Sequence, residues 1–462
     1  MSSAAARVGG RSLSSAASLR HLRRFELERN PLWWTPGVEH LCASDVEPLA
    51  LHELLALEPG SHDAFQQLSL GYPDSQGSSE LREEIAAMYG GGGRHGGGVS
   101  AADVTVVAPQ EGILLSMLSL CRPGDRVVAA QPAYQSLTEV ARSIGCEVTP
   151  WQVRGSGGGG GGVGECGDGA WRFDVDELRT LLPGAALLVV NFPHNPTGAL
   201  PTATEWAAVG ELCERHGVRI FSDEMYRGLE LHGGGGGGAT AAAVGGEDEE
   251  DEEGGARAAV AAARRRRLCS AAELGERHVA LSGLSKWAAL PGLRAGWLVS
   301  RDGAFTAEAN RLKDYTTICP PAPTEHLAAL ALRQRGALLR RSHALVARGL
   351  AAARSFAGEH AAWLRWREPQ GGSVCFPELR GGGGGGSGGG GVAHGGGVQP
   401  PPPSAARWCE AVARDAGLML LPSTLFGDGA GDACFRIGLG RANCTELLER
   451  LDAHVREHGP PT

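Results

Sequence analysis

The segment LSGLSKWAALPGLRAGW (residues 281–297) decides how this chain of 462 residues is interpreted. It contains Lys286, and the chain has only one other lysine, Lys313, although lysine and arginine together number 43. Arginine therefore carries almost all of the positive charge. A lysine amine can lose its proton and attack a carbonyl carbon, whereas a guanidinium cannot. A lone lysine is more often a surface charge, but this placement predicts a chemical role for Lys286.

Length and composition indicate a soluble chain of two or three domains with a large core. The 71 glycines exceed the usual share of about 7% roughly twofold, mostly in homopolymeric runs. The net charge of −9 argues against nucleic acid or a membrane as the main partner. Eleven cysteines without a CxxC pair predict reduced thiols in an intracellular compartment, cytoplasmic by default. No metal site is predicted.

The N-terminus and four glycine-rich segments are predicted to lie outside the core. Residues 1–24 are rich in Arg, Ser and Ala, which fits either a disordered tail or a transit peptide for chloroplast or mitochondrial import. The segment at 233–267 carries the acidic run EDEEDEE followed by four arginines. A tail that recognises a charged partner is the alternative interpretation of this segment. Such compositions cannot bury enough apolar area to offset ordering entropy. The predicted inserts are residues 90–98, 155–169, 233–267 and 381–403.

Short apolar runs alternate with helical patterns between these inserts. This alternation predicts a mostly parallel sheet covered by helices, followed by a smaller α+β domain. The predicted strands are residues 103–108, 126–130, a short one after 144, 185–191, 218–222, 278–282 and 295–300. The predicted helices are residues 111–121, 135–144, 203–216 and a long region at 323–358.

Polar side chains follow three of the predicted strands. Asn195 lies in FPHNPTG after one strand, Asp223 and Tyr226 lie in DEMY after the next, and Lys286 follows a third. Arg294 comes eight residues after the lysine. Ligands of such sheets bind beyond the carboxyl ends of the strands. An amine, a carboxylate, a phenol, an amide and an arginine are together the groups that bind pyridoxal phosphate.

These motifs resemble the class I/II aminotransferases, pyridoxal-phosphate-dependent enzymes of fold type I. NPTG, DEMY and GLSKWAALPGLRAG occur in the family's order, and the resemblance covers about residues 25–462, interrupted by the glycine-rich inserts. It implies an α/β fold whose large domain has a mostly parallel seven-stranded sheet flanked by helices, plus a smaller α+β domain. The implied divisions are a tail at 1–24, an N-terminal arm and part of the small domain at 25–69, the large domain at 70–318 and the C-terminal small domain at 319–462.

The resemblance also implies roles for individual residues. Lys286 is expected to form a Schiff base with the cofactor and to carry the proton between Cα and the cofactor carbon. Arg436 is expected to grip the substrate carboxylate, with Asn195 beside it; Arg441 is the nearby alternative. The residues expected to bind the cofactor are Asp223 at the pyridine nitrogen, Tyr226 and Asn195 at the phenolic oxygen, Tyr134 on the ring face, and Arg294, Gln110, Glu111 and Tyr72 at the phosphate. Tyr72 would come from a neighbouring subunit, which requires a homodimer.

The activity implied is transfer of an amino group between an L-amino acid and a 2-oxo acid. A β- or γ-lyase, or a synthase or cyclase, remains an alternative, because all of these use the same lysine and a quinonoid intermediate. A ligand-sensing regulator would need DNA-binding helices before the core, for which about 25 residues are too few. A catalytically dead scaffold is disfavoured by the intact lysine and aspartate.

Two positions depart from the family's pattern. Gly283 stands where the family often has a serine that binds the phosphate, and either Ser282 or Ser285 is a candidate to replace it. Val46, in DVEPLAL, stands where the family usually has glycine in a loop over the substrate, so the side-chain preference is left open.

Overall fold

The structure is a computed structural model that describes residues 22–90, 98–155, 169–231, 267–380, 403–427 and 431–461. The N-terminal tail to residue 21 and nearly all of the four predicted inserts lie outside the described residues. What the sequence predicts for them, including import into an organelle, stays a prediction. The same holds for the division of the chain into domains.

The described residues form one central sheet of eight strands in the order β1-β8-β7-β6-β5-β2-β3-β4. The four pairings from β3 through β2, β5 and β6 to β7 are parallel, as predicted. The strands are β1 Val104–Val107, β2 Arg126–Gln131, β3 Glu147–Gly155, β4 Trp171–Phe173, β5 Leu187–Asn191, β6 Arg219–Asp223, β7 Val279–Gly283 and β8 Gly296–Val299.

The sheet has one strand more than the seven predicted. The additional strand is β4, which pairs antiparallel with β3 through a register that sets Val153 opposite Phe173. Three residues are too few to show a periodic pattern, and β4 is separated from β3 by a glycine-rich segment. Its position therefore depends on tertiary pairing rather than on a local signal.

Helices cover both faces of the sheet. Further helices precede β1 and follow β8 in the chain. The predicted helical region at 323–358 is two helices, divided at Gln334. The helices are α1 Leu51–Leu55, α2 Ser61–Gln66, α3 Ser79–Ala86, α4 Pro109–Leu120, α5 Ser136–Ile144, α6 Val175–Leu181, α7 Ala203–His216, α8 Ala271–Leu274, α9 Gly303–Lys313, α10 Ala322–Arg333, α11 Arg335–Glu359, α12 Ala405–Ala416 and α13 Cys444–His458.

The ends of α7 show why the sequence places a helix there. The Thr202 hydroxyl accepts a hydrogen bond from the Glu205 backbone N–H at 3.2 Å, and the Glu205 carboxylate accepts one from the Thr202 N–H at 2.7 Å. This capping box satisfies donors that the first turn leaves free. Gly217, with φ of 67°, ends the helix in the left-handed region that glycine adopts without strain.

The central strands are buried on both faces. In β5 every residue is buried, as a continuous apolar run predicts. Leu188 and Ile220 pack on the face covered by Trp206 of α7, and Leu187 and Phe221 pack on the opposite face. Burial of each such side chain contributes about 1.5–3 kcal/mol. The sheet is thus held rigidly between two apolar layers.

A smaller antiparallel sheet is joined to the N-terminal segment by backbone hydrogen bonds. The Gly438 N–H donates to the Leu41 carbonyl at 2.7 Å, and the Glu47 N–H donates to the Gly440 carbonyl at 2.9 Å. The strands of the two minor sheets are β9 Leu364–Arg365, β10 Val374–Cys375, β11 Glu378–Leu379, β12 Leu421–Pro422 and β13 Phe435–Gly438, paired as β10-β13-β12 and β11-β9. Across the described residues, no helix has the length and apolar character needed to span a bilayer.

Two glycines of α11 are expected to respond oppositely to substitution by alanine. A Cβ on Gly349 would lie 2.1 Å from the Leu439 carbonyl oxygen, just beyond β13, whereas a Cβ on Gly358 would meet nothing within 4 Å. We expect Gly349→Ala to lower the free energy of unfolding by about 1–3 kcal/mol and Gly358→Ala to leave it unchanged or raise it by up to about 1 kcal/mol. Urea denaturation measures both. Equal effects would show that α11 does not pack against the end of β13.

Candidate active site

The register of the parallel strands brings the predicted residues to one edge of the sheet. Asn191, the last residue of β5, lies opposite Asp223, the last residue of β6. The Asn191 side chain donates to the Asp223 carbonyl at 2.8 Å and accepts from the Asn195 N–H at 2.7 Å. Sequence reasoning missed Asn191, although its position at the end of a buried strand marks it. One amide thus fixes the backbones of two predicted site residues.

Asp223 is a buried carboxylate with few local partners. It is 6% exposed, and its Oδ1 accepts one hydrogen bond, from the Met225 N–H at 3.1 Å. Burial raises the pKa of Asp223 to about 7, and the charge of Glu224 adds to this, while the Met225 N–H and the charge of Lys286 oppose it. A cation placed against this carboxylate would favour its charged form. Asp223 can therefore hold a protonated ring nitrogen.

Lys286 lies three residues beyond β7 and points toward the same edge. Its Nζ donates to the Ser44 hydroxyl at 2.8 Å and lies 5.8 Å from the centre of the Tyr226 ring. Sequence reasoning did not identify Ser44, although it directly precedes the segment DVEPLAL, which the family pattern singles out. The contact brings the N-terminal segment to the lysine amine.

Several buried polar atoms at this edge have no hydrogen-bond partner among the described residues, and they include Oε1 of Gln131, Oη of Tyr226 and Oγ of Ser285. These residues lie at or just beyond the ends of β2, β6 and β7. A buried polar group without a partner costs about 1–3 kcal/mol, so such groups call for an explanation. Pyridoxal phosphate, with its phenolic and phosphate oxygens, fits the Tyr226 and Ser285 hydroxyls as donors beside an amine and a carboxylate, whereas Gln131 Oε1 is an acceptor.

Arg436 lies in β13 and is 2% exposed. Its Nη1 donates to Asn195 Oδ1 at 2.9 Å, and its Nε donates to the Cys42 carbonyl at 3.1 Å. Both partners are neutral oxygens, so they hold the guanidinium without cancelling its charge. Arg441 instead pairs with the Asp45 carboxylate at 2.9 Å. The geometry therefore favours Arg436 over Arg441 as the group that binds a substrate carboxylate.

The first turn of α4 carries the predicted phosphate cradle. Pro109 starts the helix, and the backbone N–H groups of Gln110 and Glu111 belong to the turn that has no intrahelical acceptor. The Glu111 carboxylate is already engaged, because it accepts from the Ala108 N–H at 3.2 Å and from the Thr317 hydroxyl at 2.8 Å. An anion would therefore bind to the backbone N–H groups of this turn rather than to the Gln110 and Glu111 side chains.

Three further residues predicted to bind the cofactor are Arg294, Tyr134 and Tyr72. The structure of a single chain does not show the contacts that were expected of them. Arg294 is exposed, has φ of 52° and donates to the Pro291 carbonyl at 3.1 Å. The Tyr134 hydroxyl donates to Glu28 at 3.0 Å, a contact not predicted, and burial is the main cause that raises the pKa of Tyr134. The Tyr72 side chain is 93% exposed, so a single chain does not pack it against the site.

Comparison with known proteins identifies a family and several relatives that are similar to this chain. The family described as aminotransferase class I and II matches residues 47–451. An arginine–pyruvate transaminase of Pseudomonas aeruginosa is 30% identical over 231 residues. This alignment covers 49% of this chain and 47% of the relative, which is about half of the relative's length. Capreomycidine synthase of Streptomyces vinaceus is 25% identical over 90% of both chains. The structure of a PLP-dependent aminotransferase from Streptococcus suis superposes with a TM-score of 0.72 at 23% identity, over 96% of this chain and all of that one, and shows the same fold.

The stability of the cofactor-free protein is expected to depend on pH through Asp223. Its pKa in the folded protein, about 7, lies above the ordinary value of 3.8, so between these values the folded state keeps a proton that the unfolded chain has released. Lowering the pH from about 7 to 4 should stabilise the wild type relative to Asp223→Asn by up to about 1.4 kcal/mol per pH unit. Denaturation of both proteins across this range measures the difference. Parallel stability curves would contradict the burial of this carboxylate.

Proposed function

Because the chain belongs to the aminotransferase class I and II family, we propose that it is a pyridoxal-phosphate-dependent aminotransferase acting on an L-amino acid and a 2-oxo acid. The observation that carries this proposal is the meeting of three groups at one sheet edge: the Lys286 amine, the buried Asp223 carboxylate and the unpartnered Tyr226 hydroxyl. When bound, pyridoxal phosphate supplies an electron sink for the bond that breaks at Cα.

The residues of this chain have complementary tasks in the proposed reaction. Asp223 would hold the proton on the ring nitrogen, and Tyr226 would donate to the phenolic oxygen. Lys286 would hold the cofactor and would remove the Cα proton of the substrate. Positioned proton transfer of this kind contributes on the order of 10²–10⁴-fold to the rate. The Ser44 hydroxyl accepts a hydrogen bond from the Lys286 amine at 2.8 Å.

Arg436 sets the orientation of the substrate. A guanidinium donates two parallel hydrogen bonds to a carboxylate, which fixes both position and rotation. The Asn195 amide and the Cys42 carbonyl hold this guanidinium in place, and its carbon lies 5.3 Å from the centre of the Phe426 ring. A substrate whose α-carboxylate is bound by Arg436 of β13 would direct its amine toward the strand ends that carry Lys286.

A homodimer would complete the proposed site. The Tyr72 hydroxyl, expected at the phosphate of the neighbouring subunit, belongs to a side chain that is 93% exposed. Other large apolar side chains are exposed as well: Leu70 at 80%, Tyr315 at 85% and Ile318 at 56%. Exposed apolar residues of this size are typical of surfaces that a partner covers. Light scattering should give the mass of two chains.

An intracellular compartment is the proposed location. The ten cysteines of the described residues are all free thiols, and most are buried. Free thiols of this number persist under reducing conditions. Import into an organelle would depend on residues that the structure does not describe.

A lyase, synthase or cyclase acting on an amino acid is the second candidate, because capreomycidine synthase is similar over 90% of both chains. One experiment separates it from an aminotransferase. Cofactor-loaded protein is mixed with one amino acid and no oxo acid. Transamination predicts one equivalent of 2-oxo acid per site, with one equivalent of pyridoxamine phosphate, and then no further turnover. Continued release of pyruvate and ammonia, or of a cyclised amino acid, would overturn the proposal in favour of the second candidate.

Replacement of Lys286 should abolish this half-reaction. In Lys286→Arg the side chain keeps a positive charge but cannot form the covalent link or carry the Cα proton at neutral pH. We expect a loss of at least about 10²-fold in the rate of oxo acid formation. The control is Lys313→Arg, at the only other lysine, whose amine donates to the Thr317 hydroxyl at 2.8 Å. Full activity in Lys286→Arg would contradict the proposed mechanism.

The two C-terminal arginines should differ in their effect on substrate binding. Arg436→Lys removes a two-pronged donor and is expected to raise KM for the amino acid about 10- to 100-fold. Arg441→Lys keeps the charge beside Asp45 and is expected to change KM by no more than about threefold. Steady-state kinetics of both variants with one amino acid provides the test. A larger effect at Arg441 would assign the carboxylate to that residue instead.

A further inference from the structure

We propose that Ser44 is a positioning residue for Lys286: its hydroxyl holds the amine where the amine can remove the Cα proton of a substrate bound at Arg436. The inference rests on the proposed function and adds a residue to it. Three observations carry it. The hydroxyl contacts the amine directly, the backbone of Ser44 is held in place, and the same segment of chain holds Arg436.

The contact between Ser44 and Lys286 is specific. Among the described residues, the Ser44 hydroxyl is the only group that accepts a hydrogen bond from the Lys286 amine, at 2.8 Å. The amine also lies 5.8 Å from the centre of the Tyr226 ring, near the limit of about 6 Å for a cation–π contact. A lysine side chain has a long, flexible stem, so a single acceptor can decide where its amine lies.

The backbone of Ser44 is fixed by the smaller sheet. The Ser44 carbonyl accepts from the Ser373 hydroxyl at 2.6 Å, and Ser373 is fully buried. A Cβ on Gly438 of β13 would lie 1.9 Å from the Ala43 carbonyl oxygen, so β13 packs closely against the residue before Ser44. The Ser44 hydroxyl is therefore presented to the amine from a rigid support.

The segment that carries Ser44 also holds Arg436. The Cys42 carbonyl accepts from Arg436 Nε at 3.1 Å, and Cys42 lies two residues before Ser44. Two residues of chain span at most about 7 Å, so this segment keeps the guanidinium and the amine near each other. The carboxylate carbon and Cα of an amino acid are directly bonded. A substrate held by Arg436 would therefore present its Cα proton close to the Lys286 amine.

A hydroxyl suits this task better than a charged partner. An amine that removes a proton needs its lone pair directed at Cα, and a misplacement of about 1 Å can cost on the order of 10²-fold in rate. The Ser44 oxygen accepts from one N–H of the amine and leaves the nitrogen lone pair free. A carboxylate at this position would instead favour the charged form of the amine.

The proposal is tested first by kinetics of the cofactor-loaded protein. Wild type and Ser44→Ala are compared in steady-state turnover of one amino acid, with hydrogen or deuterium at Cα. We expect kcat to fall about tenfold and KM to change by no more than about threefold, because Arg436 still binds the carboxylate. The deuterium isotope effect on kcat should rise, because removal of the Cα proton becomes slower relative to the other steps. Ser44→Thr, which keeps the hydroxyl, should restore most of kcat.

A second measurement does not depend on activity. Full-length protein freed of cofactor is labelled with acetic anhydride at neutral pH, and the peptides that contain Lys286 and Lys313, the two lysines of the chain, are quantified by mass spectrometry. In Ser44→Ala the Lys286 amine is no longer held against the N-terminal segment. We expect the ratio of Lys286 label to Lys313 label to rise about 3- to 10-fold, which corresponds to the loss of one hydrogen bond.

The control variant is Ser342→Ala. The Ser342 hydroxyl donates to the Trp287 carbonyl at 2.7 Å, so this variant weakens the support of the lysine segment without touching the amine. Its isotope effect and labelling ratio should match those of wild type even where its thermal stability is lower. An unchanged isotope effect or an unchanged labelling ratio in Ser44→Ala, or the same changes in Ser342→Ala, would overturn the assignment. Wild-type protein that converts no amino acid would instead overturn the proposed function, and the labelling ratio would still decide whether Ser44 holds the amine.

Discussion

The parallel register of β5, β6 and β7 is the constraint on which the site depends. Asn191 pairs with Asp223, and Asp223 pairs with Leu281, so the chain segments that leave these strands emerge side by side. A slip of one residue would turn alternate side chains to the other face of the sheet. The buried apolar layers on both faces prevent such a slip. Rigid strands thus position the Asn191 amide, the Asp223 carboxylate and the Lys286 amine, which span 95 residues of the chain.

Burial of charge gives this edge its chemistry. Asp223 and Arg436 are both almost fully buried, and their hydrogen-bond partners are backbone groups or neutral side chains. Holding an unpaired charge in such a place is costly, and that cost is recovered when an opposite charge binds. In the proposed function, the matching charges are a protonated ring nitrogen at Asp223 and a substrate carboxylate at Arg436. The buried Tyr226 hydroxyl has no hydrogen-bond partner among the described residues either.

The sequence predicted the strands and the residues that follow them, because buried strands and their polar ends leave local patterns. Asp223, Asn195 and Lys286 lie where those patterns put them, and Arg436 lies within a strand of the smaller sheet. Contacts between distant segments leave no such pattern. Ser44 reaches Lys286 across 242 residues, and Glu28 reaches Tyr134 across 106. The strand β4 was missed for the same reason, since only its pairing with β3 defines it.

The proposed function depends on covalent attachment of the cofactor to Lys286, and the presence of only one other lysine makes this attachment directly measurable. Protein purified with pyridoxal phosphate is reduced with borohydride, digested and analysed by mass spectrometry. We expect one phosphopyridoxyl group per chain, on the peptide that contains Lys286, and none on the peptide that contains Lys313. Label on Lys313, or equal label on both peptides, would contradict the proposed function.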